Sequence, residues 1–288
     1  MTSTAKTIGI IGGTGRMGAW FADFFSQQGH HVLISSRKTQ LTTADIAQRC
    51  DVVVLSLLYQ VALEKAAEVG PMLSGDQLLM DLCSLKEKIT SVMALSTKAG
   101  VIGVHPLFGP GAASMAGQNI ILCPQRGKHW LEWLKEMFTD AGATVTQTDP
   151  ATHDRNMALV QGLNHFLSIT LGSLLEQTGT RPQELLLFTT PAFRVKMDLM
   201  ARLFAQNLDM FRDLVSENPH VMDLLNTFFH TARDTAKTLC QAEPDASLAF
   251  MERIQEFLGD FCAQGLAESE AFIAPLYAAK INRRQESS

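Results

Sequence analysis

Two polar segments follow predicted buried strands and carry side chains suited to acid–base chemistry. His105 comes directly after the apolar run 101–104, and Ser84 lies just beyond the run 77–82. Because ligands of open α/β sheets bind at the carboxyl ends of the strands, both side chains fall where a substrate would lie. An imidazole titrates near neutral pH and can accept a proton there. We predict that His105 is a general base, although each residue taken alone also suits a structural role, as a buried histidine or a serine helix cap.

A glycine-rich turn near the amino terminus supplies a candidate phosphate site. Glycines with G-x-G-x-x-G spacing separate an apolar run at 8–11 from a helical pattern that follows residue 18. Such glycines permit a tight turn, close approach of the backbone to a pyrophosphate, and close helix packing. The phosphates then lie at a helix amino terminus, where free N–H groups favour negative charge. The predicted cofactor-binding residues here are Gly13, Thr14, Gly15, Arg16, Met17 and Gly18.

The second predicted strand, at 31–34, indicates which dinucleotide is bound. NAD-binding folds usually end this strand with an acidic residue that bonds the ribose 2′-hydroxyl. Here the strand continues into Ser35, Ser36, Arg37 and Lys38, which offer hydroxyls and cations instead. An arginine can hold a phosphate through two parallel hydrogen bonds. We therefore predict NADP as the cofactor, with Ser35, Ser36 and Arg37 in its site, and keep NAD as the alternative.

Strands and helices alternate through the first half of the chain, as is typical of a parallel sheet with helices on both faces. Further strands are predicted at 51–56, 77–82, 101–104, 119–123 and 143–146. Beyond residue 151 the pattern is only helical, with predicted helices at 157–176, 182–188, 219–241 and 245–278, and one or two more within 191–215. We predict an α/β chain: a Rossmann-type, doubly wound parallel sheet in residues 1–150, then an all-α substrate-binding and dimerisation domain in residues 151–288.

Composition excludes several classes of protein. The 288 residues are 46% hydrophobic and 18% charged with a net charge of −5, so we expect a folded protein that does not bind nucleic acid. The apolar runs are shorter than the roughly 20 residues of a membrane span, and no signal peptide is predicted. Five scattered cysteines without a C-x-x-C pair suggest a reduced, cytoplasmic protein. No spacing typical of a metal site is present.

Several segments together resemble the prephenate dehydrogenase family. In the family's order they are Gly-Gly-Thr-Gly-Arg-Met-Gly at 12–18, Asp-Leu-Cys-Ser-Leu-Lys at 81–86, His-Pro-Leu-Phe-Gly-Pro at 105–110, His-Asp-Arg-Asn-Met at 153–157, Asn-His-Phe at 164–166, and Pro-Ala-Phe-Arg at 191–194 running on to 201–206. The sequence is most similar to the dehydrogenase half of the bifunctional chorismate mutase–prephenate dehydrogenases. The mutase helix that precedes that half does not appear in this sequence, so mutase activity is not expected.

The resemblance implies oxidative decarboxylation of prephenate to 4-hydroxyphenylpyruvate, on the route to tyrosine. It assigns the acceptance of the 4-hydroxyl proton to His105, with Ser84 bonded to that imidazole and orienting it. For the dicarboxylate substrate it implies Arg202, with Arg194 a nearby candidate. It further matches Lys86 to a lysine near cofactor or substrate, and His153 and His165 to positions lining the cleft. A homodimer through the helical domain is also expected.

Alternatives remain at this point. The loop 109–113 is less polar than in the nearest members of the family, so arogenate or 4-amino-4-deoxyprephenate could replace prephenate. A catalytically inactive nucleotide-binding regulator is a candidate of another class, although such a protein would need only the glycine turn. A β-hydroxyacid dehydrogenase would use a catalytic lysine in the helical domain, for which Lys196 is the available residue.

Overall fold

The computed structural model describes the backbone of residues 5–286 and the side chains of residues 5–275. These residues form two compact units, one made of the chain up to residue 162 together with 209–221, the other of residues 163–208 with the chain from 222 onward. The predicted boundary at 150 and 151 falls before this division. The first helix of the predicted helical domain and the segment 209–221 therefore belong to the unit that carries the sheet.

A seven-stranded sheet forms the centre of the first unit, with the order β2-β1-β3-β4-β5-β6-β7. Its strands are β1 Thr7–Ile11, β2 His31–Ser35, β3 Val52–Leu55, β4 Leu78–Asp81, β5 Gly100–Pro106, β6 Asn119–Arg126 and β7 Thr144–Gln147. Strands β1 to β5 are parallel, as predicted, but β6 runs antiparallel to β5 and β7 runs parallel to β6. The expectation of a wholly parallel sheet is thus wrong at one edge. Residues 107–118 contain no crossover helix, and without one the next strand must run back beside the last.

Helices cover both faces of the sheet. They are α1 Arg16–Gln27, α2 Thr43–Arg49, α3 Tyr59–Val69, α4 Glu87–Ser96 and α5 Lys128–Asp140, with a 3-10 turn at Gly70–Met72. One core contains α1 and α5 with alternate strand residues such as Ile10 and Val54. The other contains α2, α3 and α4 with the intervening residues such as Val53 and Leu79. The two-residue alternation of strand side chains divides the strands between these cores, which makes the unit doubly wound.

All later elements are helical, as predicted. They are α6 Pro150–Met157, a π-helical segment Ala158–Leu163, α7 Asn164–Gln177, α8 Pro182–Leu185, α9 Pro191–Phe204, α10 Leu208–Ser216, α11 Val221–Gln241, α12 Pro244–Leu258 and α13 Phe261–Glu286. The predicted single helix at 245–278 is two helices, since Gly259 takes a φ of +54° and ends α12. The continuous stretch Pro150–Gln177 is long and apolar enough to cross a membrane by length and composition alone. The prediction from uninterrupted apolar runs did not anticipate this stretch.

Candidate active site

The glycine turn between β1 and α1 has the geometry of a phosphate cradle. Gly12 adopts a φ of +88°, and a Cβ there would come within 2.2 Å of the Ser56 carbonyl oxygen. A Cβ on Gly18 would lie 2.6 Å from the Gly12 oxygen, so that glycine lets α1 pack directly on the turn, as predicted. The tight backbone conformation belongs to Gly12 and not to Gly13, whose missing Cβ instead makes room for Ile34.

Helix α1 begins at Arg16 with the exposed Gly15 as its N-cap, and no side chain caps it among the described residues. Its first backbone N–H groups and the positive end of its dipole are therefore available to an anion. A dinucleotide fits this turn, because the glycines let the turn fold tightly under the start of α1 and leave its first N–H groups uncovered by side chains. Thr14, Gly15 and Arg16 are all exposed there, and Met17 is half-buried.

The turn after β2 contains no carboxylate. One of the residues predicted to bind the cofactor there, however, has a buried side chain. Ser35 is buried, and its hydroxyl donates to the Leu41 carbonyl over 2.8 Å. The Ser35 hydroxyl is therefore committed to the backbone, and the contact of this residue with the cofactor stays a prediction that its side chain does not support. Ser36 remains in the turn, accepting from the Lys38 N–H at 3.1 Å while its own N–H donates to Thr39 Oγ1 at 2.8 Å. Arg37 is exposed beside it.

His105 is the second-last residue of strand β5 and does not lie beyond its end, since pairing with β6 extends to Pro106. Its side chain is 2% exposed. Nδ1 is 2.9 Å from Nε2 of His153, and Nε2 is 3.3 Å from the side-chain nitrogen of Gln161. Burial lowers the pKa of His105 well below its ordinary value, and the neighbouring His153 and the Lys86 ammonium lower it further. A neutral imidazole at neutral pH can act as a base.

The expected Ser84–His105 hydrogen bond is not among the contacts of residues 5–275. Ser84 is half-buried in the connection between β4 and α4, and the ring nitrogens of His105 are used by His153 and Gln161. His153 was expected to line the cleft, yet it is fully buried and contacts His105 itself. The orienting partner of the imidazole is thus another histidine, which lies on α6.

Lys86 is the second departure from the predicted site. Its side chain is fully buried, and its ammonium bonds the Asp81 carboxylate and donates to the Val104 carbonyl at 3.0 Å. Because its ammonium bonds two groups inside the sheet unit, Lys86 is not free to bind a substrate carboxylate directly. Instead, its ammonium links Asp81 at the end of β4 to Val104 near the end of β5, next to His105.

Sequence reasoning missed two residues of this site. Asp154 is 1% exposed, and its Oδ1 lies 2.7 Å from Nδ1 of His153. Gln161 lies in the π-helical segment, a type of distortion that is frequent at functional sites. Asp154 could have been found from its place beside His153 in the segment 153–157, whereas no local pattern marks Gln161. Among residues 5–275, no group of three or more His, Cys, Asp or Glu side chains is arranged to hold a metal ion.

The remaining predicted residues belong to the helical unit. Arg202 is exposed in the last turn of α9. Arg194 lies in the first turn of the same helix, with Nε 2.9 Å from a carboxylate oxygen of Asp198. The two arginines are separated by about 12 Å along the axis. His165 on α7 is half-buried, and this burial lowers its pKa. Both predicted arginines and His165 thus lie in the helical unit, where their role in substrate binding stays a prediction.

A glycine turn that opens a helix, a buried histidine at the end of a neighbouring strand and an all-helical second part are features of a two-domain, nicotinamide-dependent dehydrogenase. Residues 29–147 match the family model described as prephenate dehydrogenase, nucleotide-binding domain. Residues 149–256 match the one described as prephenate dehydrogenase, dimerization domain. The chain belongs to the prephenate dehydrogenase family. It is an NAD(P)-dependent prephenate/arogenate dehydrogenase of tyrosine biosynthesis, so the alternative of an inactive regulator is wrong.

Known proteins of this type are similar over nearly the whole chain. The T-protein of Haemophilus influenzae is 28% identical over 273 residues, which are 95% of this chain and 72% of that protein. A probable arogenate/prephenate dehydrogenase of Methanocaldococcus jannaschii is also 28% identical, over 96% of this chain and 66% of that protein. The prephenate dehydrogenase of A. aeolicus, solved with hydroxyphenyl propionate and NAD+, has a TM-score of 0.73 at 20% identity, covering 88% of this chain and 98% of that one. This last likeness shows the fold. The stretch Pro150–Gln177 is a helix of the matched dimerization domain.

Proposed function

We propose that this enzyme converts prephenate to 4-hydroxyphenylpyruvate with NADP, and that His105 is its general base. The observation that carries the proposal is the state of His105: a buried imidazole at the end of β5, kept neutral by its surroundings. Only the neutral form can take the proton of the substrate hydroxyl. The cofactor, when bound at the glycine turn, supplies the hydride acceptor.

His105 serves this reaction by removing a proton at the moment when the ring loses CO2 and becomes aromatic. The hydroxyl oxygen then develops carbonyl character, and retention of its proton would oppose that change. Nε2 of His105 is the nitrogen suited to this task, since Nδ1 is engaged by His153. General-base assistance of this kind contributes about 10²- to 10⁴-fold to a rate.

Cations of the helical unit support a dicarboxylate as substrate. Arg202 is exposed and presents a planar guanidinium that can hold a carboxylate through two hydrogen bonds. Arg194 and His165 are further candidates for the second carboxylate, with Arg194 already paired to Asp198. A protonated His165 would add positive charge, but its lowered pKa makes Arg202 the stronger choice at neutral pH.

The turn after β2 supports the choice of NADP over NAD. Ser36, Arg37, Lys38 and Thr39 form a hydroxyl-bearing, cationic turn. A 2′-phosphate carries negative charge that a carboxylate would repel and that an arginine would attract. The turn needs no rearrangement of the buried Ser35 to offer these groups.

The experiment that tests the proposal is a panel of substrates and cofactors. Prephenate, arogenate and 4-amino-4-deoxyprephenate are each offered with NADP and with NAD, and the reduced cofactor is followed by absorbance at saturating and limiting substrate. We expect the highest kcat/KM for prephenate with NADP. A higher kcat/KM for arogenate or for the amino compound contradicts the assignment of the substrate.

Replacement of Ser36 by aspartate tests the cofactor separately. The new carboxylate should repel a 2′-phosphate and accept the ribose 2′-hydroxyl of NAD, so the NADP/NAD ratio of kcat/KM should fall about tenfold or more, the equivalent of roughly 1.4 kcal/mol. Gln28→Asp, at the exposed end of α1, adds the same charge outside the turn and should leave the ratio unchanged. An unaltered ratio for Ser36→Asp opposes the assignment of NADP.

We further propose a cytoplasmic homodimer that uses the helical unit. Large apolar side chains are exposed on this unit, among them Leu187, Phe188 and Phe257, which are 82%, 85% and 88% exposed. A second copy of the chain would cover such a surface. All five cysteines are free thiols, which suits a reducing compartment. Light scattering at several concentrations should give twice the mass of the chain, and a monomer at micromolar concentration would contradict the dimer.

A further inference from the structure

A chain of hydrogen-bonding side chains extends from the start of helix α4 to the outer nitrogen of His105. Asp154 Oδ1 lies 2.7 Å from His153 Nδ1, and His153 Nε2 lies 2.9 Å from His105 Nδ1. His105 Nε2 faces the Gln161 amide nitrogen at 3.3 Å. Asp154, His153 and His105 are 1%, 0% and 2% exposed, so water does not compete for these contacts. The order of donors and acceptors along this chain decides which nitrogen of His105 carries a proton.

The Asp154 carboxylate sets the direction of the chain. Its Oδ1 accepts the Lys86 N–H at 2.8 Å, and its Oδ2 accepts the Glu87 N–H at 2.9 Å. Glu87 is the first residue of α4, so the carboxylate caps that helix from α6, where the helix dipole favours negative charge. An ionised carboxylate is only an acceptor. The contact with His153 therefore requires a proton on Nδ1 of His153.

The tautomer of His105 follows from that of His153. A neutral His153 with its proton on Nδ1 has a lone pair on Nε2, which must accept from Nδ1 of His105. His105 then carries its proton on Nδ1 and has a lone pair on Nε2. The amide nitrogen of Gln161 is a donor and matches this lone pair. All three contacts are satisfied with both imidazoles neutral.

We propose that Asp154 and His153 are positioning residues that hold the lone pair of His105 on Nε2 and receive the positive charge when that nitrogen is protonated. The inference rests on the proposed role of His105 as the base. In the step, the O–H bond of the substrate breaks and an N–H bond forms at Nε2. The Nδ1 proton of His105 passes to Nε2 of His153, which keeps its own Nδ1 proton against Asp154. No proton is lost, and the charge comes to lie beside the carboxylate.

The chain of side chains is held in place by groups that do not take part in this proton transfer. Asn218 donates to the Asp154 backbone carbonyl at 2.8 Å, and His220 holds Glu87 through a contact of 2.6 Å. The charged groups that face His105 are Lys86 and its partner Asp81 from β4 and the start of α4. Tyr59 of α3 stays neutral, because burial and then the negative charge of Asp154 raise its pKa.

Nitrogen-15 NMR of the histidine-labelled enzyme tests the tautomers without any turnover. We expect a proton on Nδ1 and a bare Nε2 at His105 in the wild-type protein at neutral pH. Assignment uses the His105→Asn and His153→Gln variants. A proton on Nε2 of a neutral His105 overturns the proposal. Failure of every substrate in the panel would reject the proposed function and leave this measurement intact, so the two failures are distinguishable.

Asp154→Asn tests the charge at the end of the chain through kinetics. Oδ1 of Asp154 accepts from the Lys86 N–H and from His153, and Oδ2 accepts from the Glu87 N–H, so an asparagine keeps one of these two oxygens and removes the negative charge beside His153. We expect kcat to fall about 10²- to 10⁴-fold with the affinity for the cofactor retained, and the acidic limb of the pH profile to move to lower pH because the imidazolium loses its carboxylate. Asp149→Asn makes the same change at the exposed N-cap of α6 and should alter neither. An Asp154→Asn enzyme with wild-type kcat overturns the proposal.

His153→Gln and His153→Leu form a second pair, which decides the matter if Asp154→Asn does not fold. Glutamine retains an acceptor for Nδ1 of His105, whereas leucine of similar size does not. We expect the glutamine variant to keep at least about ten times the kcat of the leucine variant, in keeping with the usual range of general-base effects. Equal kcat values for two folded variants would show that His153 only fills space.

Discussion

The carboxyl end of the sheet and the helical unit meet different physical demands. Around His105, the side chains of Asp154, His153 and Lys86 are all buried and all hydrogen-bonded. In the helical unit, α7 and α12 have no fully buried residue among those described, and Phe257 is 88% exposed. The base that we propose is therefore preorganised within one unit. The cations and exposed apolar faces of the other unit are the groups that we propose for the ligand and for a second copy of the chain.

The largest effect should come from His105→Asn in the sheet unit. Asparagine cannot take the proton, so we expect kcat to fall about 10²- to 10⁴-fold while the dissociation constant of NADP changes little. Steady-state kinetics and fluorescence titration of the cofactor measure the two quantities. His129→Asn, at an exposed position of α5, serves as the control. Near-normal turnover of His105→Asn would mean that the prearranged imidazole is not the base.

The next largest difference should be in the effect of truncating a phenylalanine in each of the two units. Phe21 is fully buried against Phe24, Phe25 and Phe138, so Phe21→Ala should lower the free energy of unfolding by about 3–5 kcal/mol. Phe257→Ala should change the unfolding of the monomer by under about 0.5 kcal/mol and weaken the dimer instead. Denaturant unfolding and light scattering measure these outcomes. The contrast fails if Phe257→Ala leaves the dimer dissociation constant unchanged.

Arg202→Gln should affect binding more than chemistry. Hydrogen bonds to charged groups contribute about 1.5–3 kcal/mol, so we expect KM for the dicarboxylate to rise about 10- to 100-fold with a smaller change in kcat. Arg233→Gln, exposed on α11, removes the same charge elsewhere on the helical unit. A wild-type KM in Arg202→Gln would remove this arginine from the site.

The smallest effect concerns acid stability. His105 and His165 both have a lowered pKa, caused mainly by burial. Below the ordinary histidine pKa of about 6.5, the unfolded chain binds protons that the folded one does not, so stability should fall as the pH falls. His105→Asn should remove more of this loss than His165→Asn, because the pKa of His105 is displaced further. Thermal unfolding at pH 7 and at pH 5 tests the order, and an equal or reversed order contradicts it.

Much of this organisation was predictable from local sequence. The alternation of strands and helices predicted the doubly wound sheet, and the spacing of Gly13, Gly15 and Gly18 predicted the tight turn on which α1 packs. The antiparallel β6 was not predicted, because strand direction depends on the path of residues 107–118 and not on their composition. The burial of Ser35 was not predicted for a similar reason. Sequence alone does not tell which face of a strand end is buried.

By itself, the sequence determined the class of the protein and indicated the base that we propose, since glycine spacing and a histidine after a strand are local features with a local physical cause. Only the tertiary structure decided what surrounds that base. His153 and Gln161 come within reach of His105, and Asp154 within reach of the start of α4, through the packing of α6 and the π-helical segment beside the end of β5. Proton position depends on contacts of about 3 Å between residues some fifty positions apart, and no periodicity in the chain encodes such contacts.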